Sequence, residues 1–173
     1  MAATLGNGNI TFGDGTVQST AARFQSKSTN SSNYIYDIPS RVKYIKIFIV
    51  GQSLSGTDDL LVRLGTNNST FITTGYTSSS SAINTASGFA TNNNTTGFDI
   101  RLGNSTYYIS SGEITLTNHF QTLWTCSHKV SCSGRVMLGG GSVDIGAALG
   151  AIQFAASGAN TLTAGTIRTI FMG

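Results

Sequence analysis

Apolar residues in this chain recur at every second position over short stretches and then stop at turn residues, a rhythm that commits the backbone to strands. The fullest case is 42–52, where Ile45, Ile47 and Ile49 fall on one face and Tyr44, Phe48 and Val50 on the other, with Lys46 the exception. Two apolar faces predict contact with protein on both sides, so this run is the candidate for a central strand. Residues 60–64 alternate as cleanly, with Leu60, Val62 and Leu64 inward and Arg63 outward. The same reading places strands at 34–38, 71–76, 97–102, 113–117, 123–129, 135–138, 151–155 and 166–171, with turns at sandwich-like intervals. After residue 34 no segment carries a long helical stripe, although 147–152 admits one helical turn. The expected fold is all-β, an antiparallel β-sandwich of jelly-roll type spanning 34–173.

Composition supports a folded sheet protein. A chain of 173 residues buries roughly 70% of its unfolded surface, enough for one ordinary core. Only 10% of residues are charged, and Ser, Thr, Asn and 21 glycines supply the polarity. The net charge of +3 comes from residues scattered along the chain, with no basic block to track a phosphate backbone, so nucleic acid is not an expected partner. No apolar run reaches the roughly 18 residues of a membrane helix, and Met1-Ala2-Ala3 shows neither a basic leader nor an apolar signal core. The expectation is a product without membrane insertion or signal peptide.

Residues 1–27 read as an extension and 28–33, rich in Ser and Asn, as a linker. Within the extension, Ile10 and Phe12 alternate, Gly13-Asp14-Gly15 supplies a tight turn, and Val17 follows, which reads as a small hairpin. Val17, Ala21 and Phe24 also stand at helical i, i+4, i+7 spacing, so within 16–27 a short helix competes with the strand reading of Val17-Gln18. Two strands this short do not hold together alone in water, so the hairpin needs an apolar surface from its own chain, a sister subunit or a partner.

The segment Phe12-Gly13-Asp14-Gly15-Thr16-Val17-Gln18-Ser19-Thr20-Ala21 resembles the F-x-D-G-T-x-Q-[ST]-T-A stretch of tail fibres and related appendages of tailed bacteriophages. Behind it, Pro39-Ser40-Arg41-Val42-Lys43-Tyr44-Ile45, Leu64-Gly65, Thr74-Gly75-Tyr76, Gly97-Phe98, Gly112-Glu113-Ile114-Thr115-Leu116, Trp124 and Ala164-Gly165-Thr166-Ile167 resemble, in order and spacing, a domain common at the end of phage tail-fibre proteins. The end Phe171-Met172-Gly173 departs from relatives, which often close on an acidic residue after an aromatic. The resemblance implies a non-enzymatic virion protein, assembled in the bacterial cytoplasm as a homotrimer, that contacts other virion proteins and meets a host-surface glycan or protein. On that reading Ile10, Phe12, Asp14, Val17, Ala21 and Phe24 dock or trimerise. Two alternatives stand beside it: a decoration or cement protein that binds no receptor, and a glycan depolymerase.

Chemistry-bearing residues are few, and no cofactor is expected. Cys126, His128 and Cys132, with His119, form the one metal-like cluster; its spacing matches no structural zinc pattern, so buried thiols and edge histidines are the plainer reading and no metal is assigned. A disulfide requires Cys126 and Cys132 to face each other across a hairpin, whereas synthesis in a bacterial cytosol keeps both reduced. Asp58-Asp59, in a glycine-flanked turn, offers paired carboxylates for calcium or for acid and base, but adjacent positions do not supply two carboxyls set across a cleft. Gly139-Gly140-Gly141 reads as a loop or tight bend. No catalytic residue is assigned. Tyr34, Tyr36, Tyr76, Tyr107, Tyr108 and Trp124 offer flat faces with a polar handle; Tyr76, Tyr107 and Tyr108 are the candidate glycan contacts, and Trp124 is expected in the core.

Overall fold

The computed structural model describes residues 4–6, 9–11, 17–18, 23–28, 33–39, 41–84, 88–101 and 109–172. All regular structure among them is β. The strands are β1 (Thr4–Gly6), β2 (Asn9–Thr11), β3 (Val17–Gln18), β4 (Arg23–Ser28), β5 (Asn33–Asp37), β6 (Tyr44–Leu54), β7 (Leu60–Asn67) and β8 (Thr70–Phe71). They continue with β9 (Thr77–Asn84), β10 (Gly88–Asn94), β11 (Phe98–Arg101), β12 (Ser110–Phe120), β13 (Leu123–Cys132), β14 (Arg135–Asp144), β15 (Ala151–Ala156) and β16 (Leu162–Met172).

Two antiparallel sheets form a β-sandwich. The large sheet runs β10-β9-β14-β13-β12-β6-β16-β4 and the small one β11-β7-β15-β5, with β8 beside β7. The chain passes from one sheet to the other repeatedly, while β12, β13 and β14 form a meander within the large sheet. Side chains that alternate inward from both sheets meet in one core. Ile45, Ile47 and Ile49 of β6, Ile114 and Leu116 of β12, and Ile167 and Phe171 of β16 pack with Leu60, Val62 and Leu64 of β7, Phe98 and Ile100 of β11, and Ile152 and Phe154 of β15. Tyr76 belongs to the same core, edge-on to Phe98 with ring centroids 4.9 Å apart.

Several sequence expectations need correction. The second face of β6 is the outer face of the sheet: Tyr44, Lys46 and Phe48 are half-buried and Val50 is exposed, although the strand is interior, between β12 and β16. Over 71–76 only the two-residue β8 forms, and 147–152 makes no helical turn. Strands β9 and β10 were not expected, because Ser78, Ser79, Ser80 and Ser81 carry no apolar alternation. In the fold Ser78, Ser80 and Ala82 alternate inward, so period two is obeyed with side chains too small to announce it.

Gly139, Gly140 and Gly141 are no bend. They lie inside β14, paired with His128, Ser127 and Cys126 on one side and with Ser80, Ser79 and Ser78 on the other. A Cβ at Gly139 would sit 2.5 Å from Nε2 of His128 and 2.8 Å from Cα of Ser80, so any larger residue forces its neighbours to shift.

Near the start of the chain, β1-β2-β3 make a separate three-stranded antiparallel sheet in which Thr11 faces Val17. The strand alternative therefore holds at Val17–Gln18, whereas the strand at Arg23–Ser28 was not expected. Residues 23–27, grouped in sequence with the extension, pair along β16 as an edge of the large sheet, with Phe24 opposite Ile170.

Candidate binding surface

The outer face of the large sheet is paved with short hydroxyl side chains. Cross-strand register aligns Thr77, Ser142, Thr125 and Thr117 in one row and Ser79, Gly140, Ser127 and Thr115 in the next. A third row carries the larger groups: Ser81, Leu138, Lys129, Glu113, Phe48, Arg168 and Ser26, seven strands wide and about 29 Å long at ~4.8 Å per strand. Lys46, one row away, reaches Glu113 at 2.8 Å and lies 5.9 Å from the centre of the Phe48 ring. That partly exposed ion pair contributes little to stability but holds Glu113 near the aromatic ring. An open groove of about 500 Å³ follows this row, between Phe48, Ser111, Glu113, Lys129, Ser131 and Val136. Hydroxyls, the Phe48 ring and mixed charge along this groove suit a polar, uncharged or weakly charged polymer laid across the strands. Beside it, Ile83, Val136 and Leu138 stand 37–48% exposed on β9 and β14, an apolar trio at the end of the face.

Buried polar groups collect at the other side of the same strands. Nδ2 of Asn92 donates to Oδ2 of Asp59 at 2.9 Å and to Oδ2 of Asp99 at 2.8 Å, so the two carboxylate oxygens are at most about 5.7 Å apart. Asp99 has no exposed surface, its Oδ1 has no hydrogen-bond partner, and its backbone N–H donates to Oγ of Ser78. Burial, and secondarily the charge of Asp59, push the Asp99 carboxyl up to about 7. His128 lies under Gly139, and neither ring nitrogen makes a well-formed hydrogen bond. Burial brings its imidazole down to about 4, against a smaller opposing pull from the Asp99 backbone. The spacing of Asp59 and Asp99 resembles an acid/base pair, yet a sugar would have to part the sheets to touch Asp99. This cluster ties β10, β11 and the turn before β7 together.

The sequence-expected residues separate accordingly. Tyr76, a candidate glycan contact, is 1% exposed, and its hydroxyl accepts the Leu64 N–H at 2.8 Å. Burial pushes its phenol up to about 12, and it has no face to offer a sugar. Trp124 is in the core as expected. Tyr107, Tyr108, Phe12, Asp14 and Ala21 lie outside the described residues; Ile10, Val17 and Phe24 lie on β2, β3 and β4. Cys126, His128 and Cys132 all point inward from β13, with Cys126 and His128 sharing a face as their spacing implies. Both thiols are free: six residues along one strand put them about 20 Å apart, far beyond disulfide reach. Among the described residues no group of three or more metal-ligating side chains forms, and His119 is exposed. Asp58 and Asp59 diverge: Oδ2 of Asp58 accepts the Asn160 N–H, while Asp59 turns to Asn92. Phe48, Lys129, Arg168 and Asn92 were missed. Only Phe48 left a signal, as an aromatic on the face opposite Ile47 and Ile49.

No protein-family model and no curated protein matches the chain. Among solved structures, the chain is similar over 87% of its length to the crystal structure of the infectious bursal disease virus VP2 subviral particle, at 10% identity and a TM-score of 0.18. The matched part is 40% of that protein's chain, and a likeness of this size carries no argument about fold or function.

Proposed function

We propose that the chain is a structural, non-enzymatic virion protein of a tailed bacteriophage, a tail fibre or tail-associated appendage that attaches to the host surface. The observation that supports this reading is the broad hydroxyl-paved outer face of the large sheet, with its open groove beside Phe48. Such a surface gathers affinity from many weak contacts, and repetition in a homotrimer multiplies them through effective concentration. The amino-terminal three-stranded sheet would dock on sister subunits or other virion proteins. A second reading, the decoration or cement protein, draws on the exposed trio Ile83, Val136 and Leu138, which suits a protein neighbour better than a sugar.

Labelled full-length protein incubated with a panel of bacterial strains tests the first reading. The expected result is saturable binding to a subset of strains, competed by their purified surface polysaccharide, with F48A weakening it at least tenfold. Absence of binding to every strain, together with incorporation into particles, turns the assignment to the cement protein. Release of reducing ends from the polysaccharide overturns the non-enzymatic reading.

A further inference from the structure

A compact pocket of about 150 Å³ opens at the end of the sandwich where the segment leading into β6, the β12–β13 turn and the loop after β14 converge. Its polar wall is Arg41, Lys43, Asn118 and Gln121, and Val42, Trp124 and Leu149 form an apolar floor; no acidic residue lines it. Asn118 organises the wall. Its Oδ1 accepts from Nζ of Lys43 at 2.7 Å, and its Nδ2 donates to the backbone carbonyls of Gln121 and Leu123 at 3.0 and 3.2 Å. This leaves the Lys43 ammonium aimed and still holding two donors. Arg41 is exposed and makes no ion pair among the described residues, where the Lys46–Glu113 pair is of a different region. The nearby strand-end carboxylate of Asp144 is engaged by the Gly146 N–H and the Thr122 side chain.

Backbone strain converges on the same place. Among the described residues three non-glycine positions have left-handed φ, and two of them, Arg41 at +71° and Gln121 at +44°, line this pocket. Left-handed φ is uncommon for residues other than glycine, and two such positions meeting on one small pocket mark it as a candidate ligand site.

We propose that this pocket binds an oxyanion, the carboxylate or phosphate of a small polar molecule such as a sugar acid or sugar phosphate. Arg41 offers a planar fork that matches either group in two parallel hydrogen bonds, and Lys43 adds a point charge. The apolar floor keeps water from one side and strengthens both interactions. The volume holds about five waters' worth of ligand, one oxyanion with the few carbons that carry it. This inference stands on the pocket alone and is independent of binding to cells.

Trp124 is the sole tryptophan of the chain and forms part of the floor, so its fluorescence reports on the site. Full-length protein is titrated at constant ionic strength with sodium glucuronate, with inorganic phosphate and, as a neutral control, with glucose. A saturable change with glucuronate, phosphate or both, and none with glucose, is expected, and the tighter of the two anions identifies the source. Arg41→Gly should weaken binding at least tenfold while melting no lower than the wild type, because glycine relieves the strain. Lys43→Gln should weaken binding by a smaller factor. The proposal is overturned if neither anion saturates, if glucose binds as well, or if Arg41→Gly binds as the parent does.

Discussion

Asp99 and His128 are neighbours inside the sandwich, and burial moves their protons in opposite directions. The Asp99 carboxyl holds its proton to about 7 in the folded chain but releases it near 3.8 when unfolded. Between those values the folded state is the tighter proton binder, so this contribution is full below about pH 4 and fades as pH rises through 7. His128 titrates near 4 when folded and near 6.5 when unfolded, so its contribution is absent below 4 and grows up to 6.5. The two trends offset each other over pH 4–6.5 and leave the decline from Asp99 above it. Asp99→Asn, which can still accept from Asn92, should unmask the histidine: its melting temperature should climb from pH 4 to 6.5 and stay level to pH 8, while the wild type falls between pH 6.5 and 8. Parallel profiles of the two proteins would show that Asp99 ionises freely in the fold. At Gly139 the constraint is steric. Gly139→Ala should cost about 1–3 kcal/mol, since its methyl collides with His128 and the Ser80 backbone, as a denaturant titration would measure.

Among the elements, β4 carries the most direct test of organisation. Its register along β16 makes residues 23–28 part of the large sheet, whereas β1, β2 and β3 pair only with one another among the described residues. Removing 1–18 should therefore shift the melting temperature of the sandwich little. Removing 1–28 should lower it clearly, because an edge strand and the cover it gives β16 are lost; equal melting of the two truncations would deny β4 that part. The strands that could be read from sequence were those with large apolar residues at every second position, as in Ile45-Ile47-Ile49 and Leu60-Val62-Leu64. Period two in the serine and alanine positions of β9 carries no hydropathy contrast, and so remained illegible. Asp99, between Phe98 and Ile100, was not singled out in the sequence; it is buried because β11 packs on β9 and β14 in the opposite sheet as well as pairing with β7. Tyr76 failed as a surface aromatic for a related reason: its hydroxyl has an interior partner in the Leu64 N–H, which lets a polar tip be buried. Lys129 and Arg168 become neighbours of Phe48 only through register across β13, β12, β6 and β16, information that no local pattern contains.

For the whole molecule, low charge and a hydroxyl-rich exterior imply contacts that change little with salt, unlike those of the Arg41 pocket. Association through the outer face should thus survive 0.5 M NaCl, while sedimentation of a triple I83S/V136S/L138S variant should show a larger monomer fraction than the wild type if neighbouring subunits cover the trio. An unchanged distribution would assign the trio another role. Finally, Cys126 and Cys132 are shut inside the same strand, six residues apart, with no bridge between them. An alkylating reagent can reach them only during moments when β13 comes away from the opposite layer. The rate at which label accumulates in the native protein is thus a clock for breathing of the sandwich, and two sites on one strand tell whether it parts all at once or peels from one end.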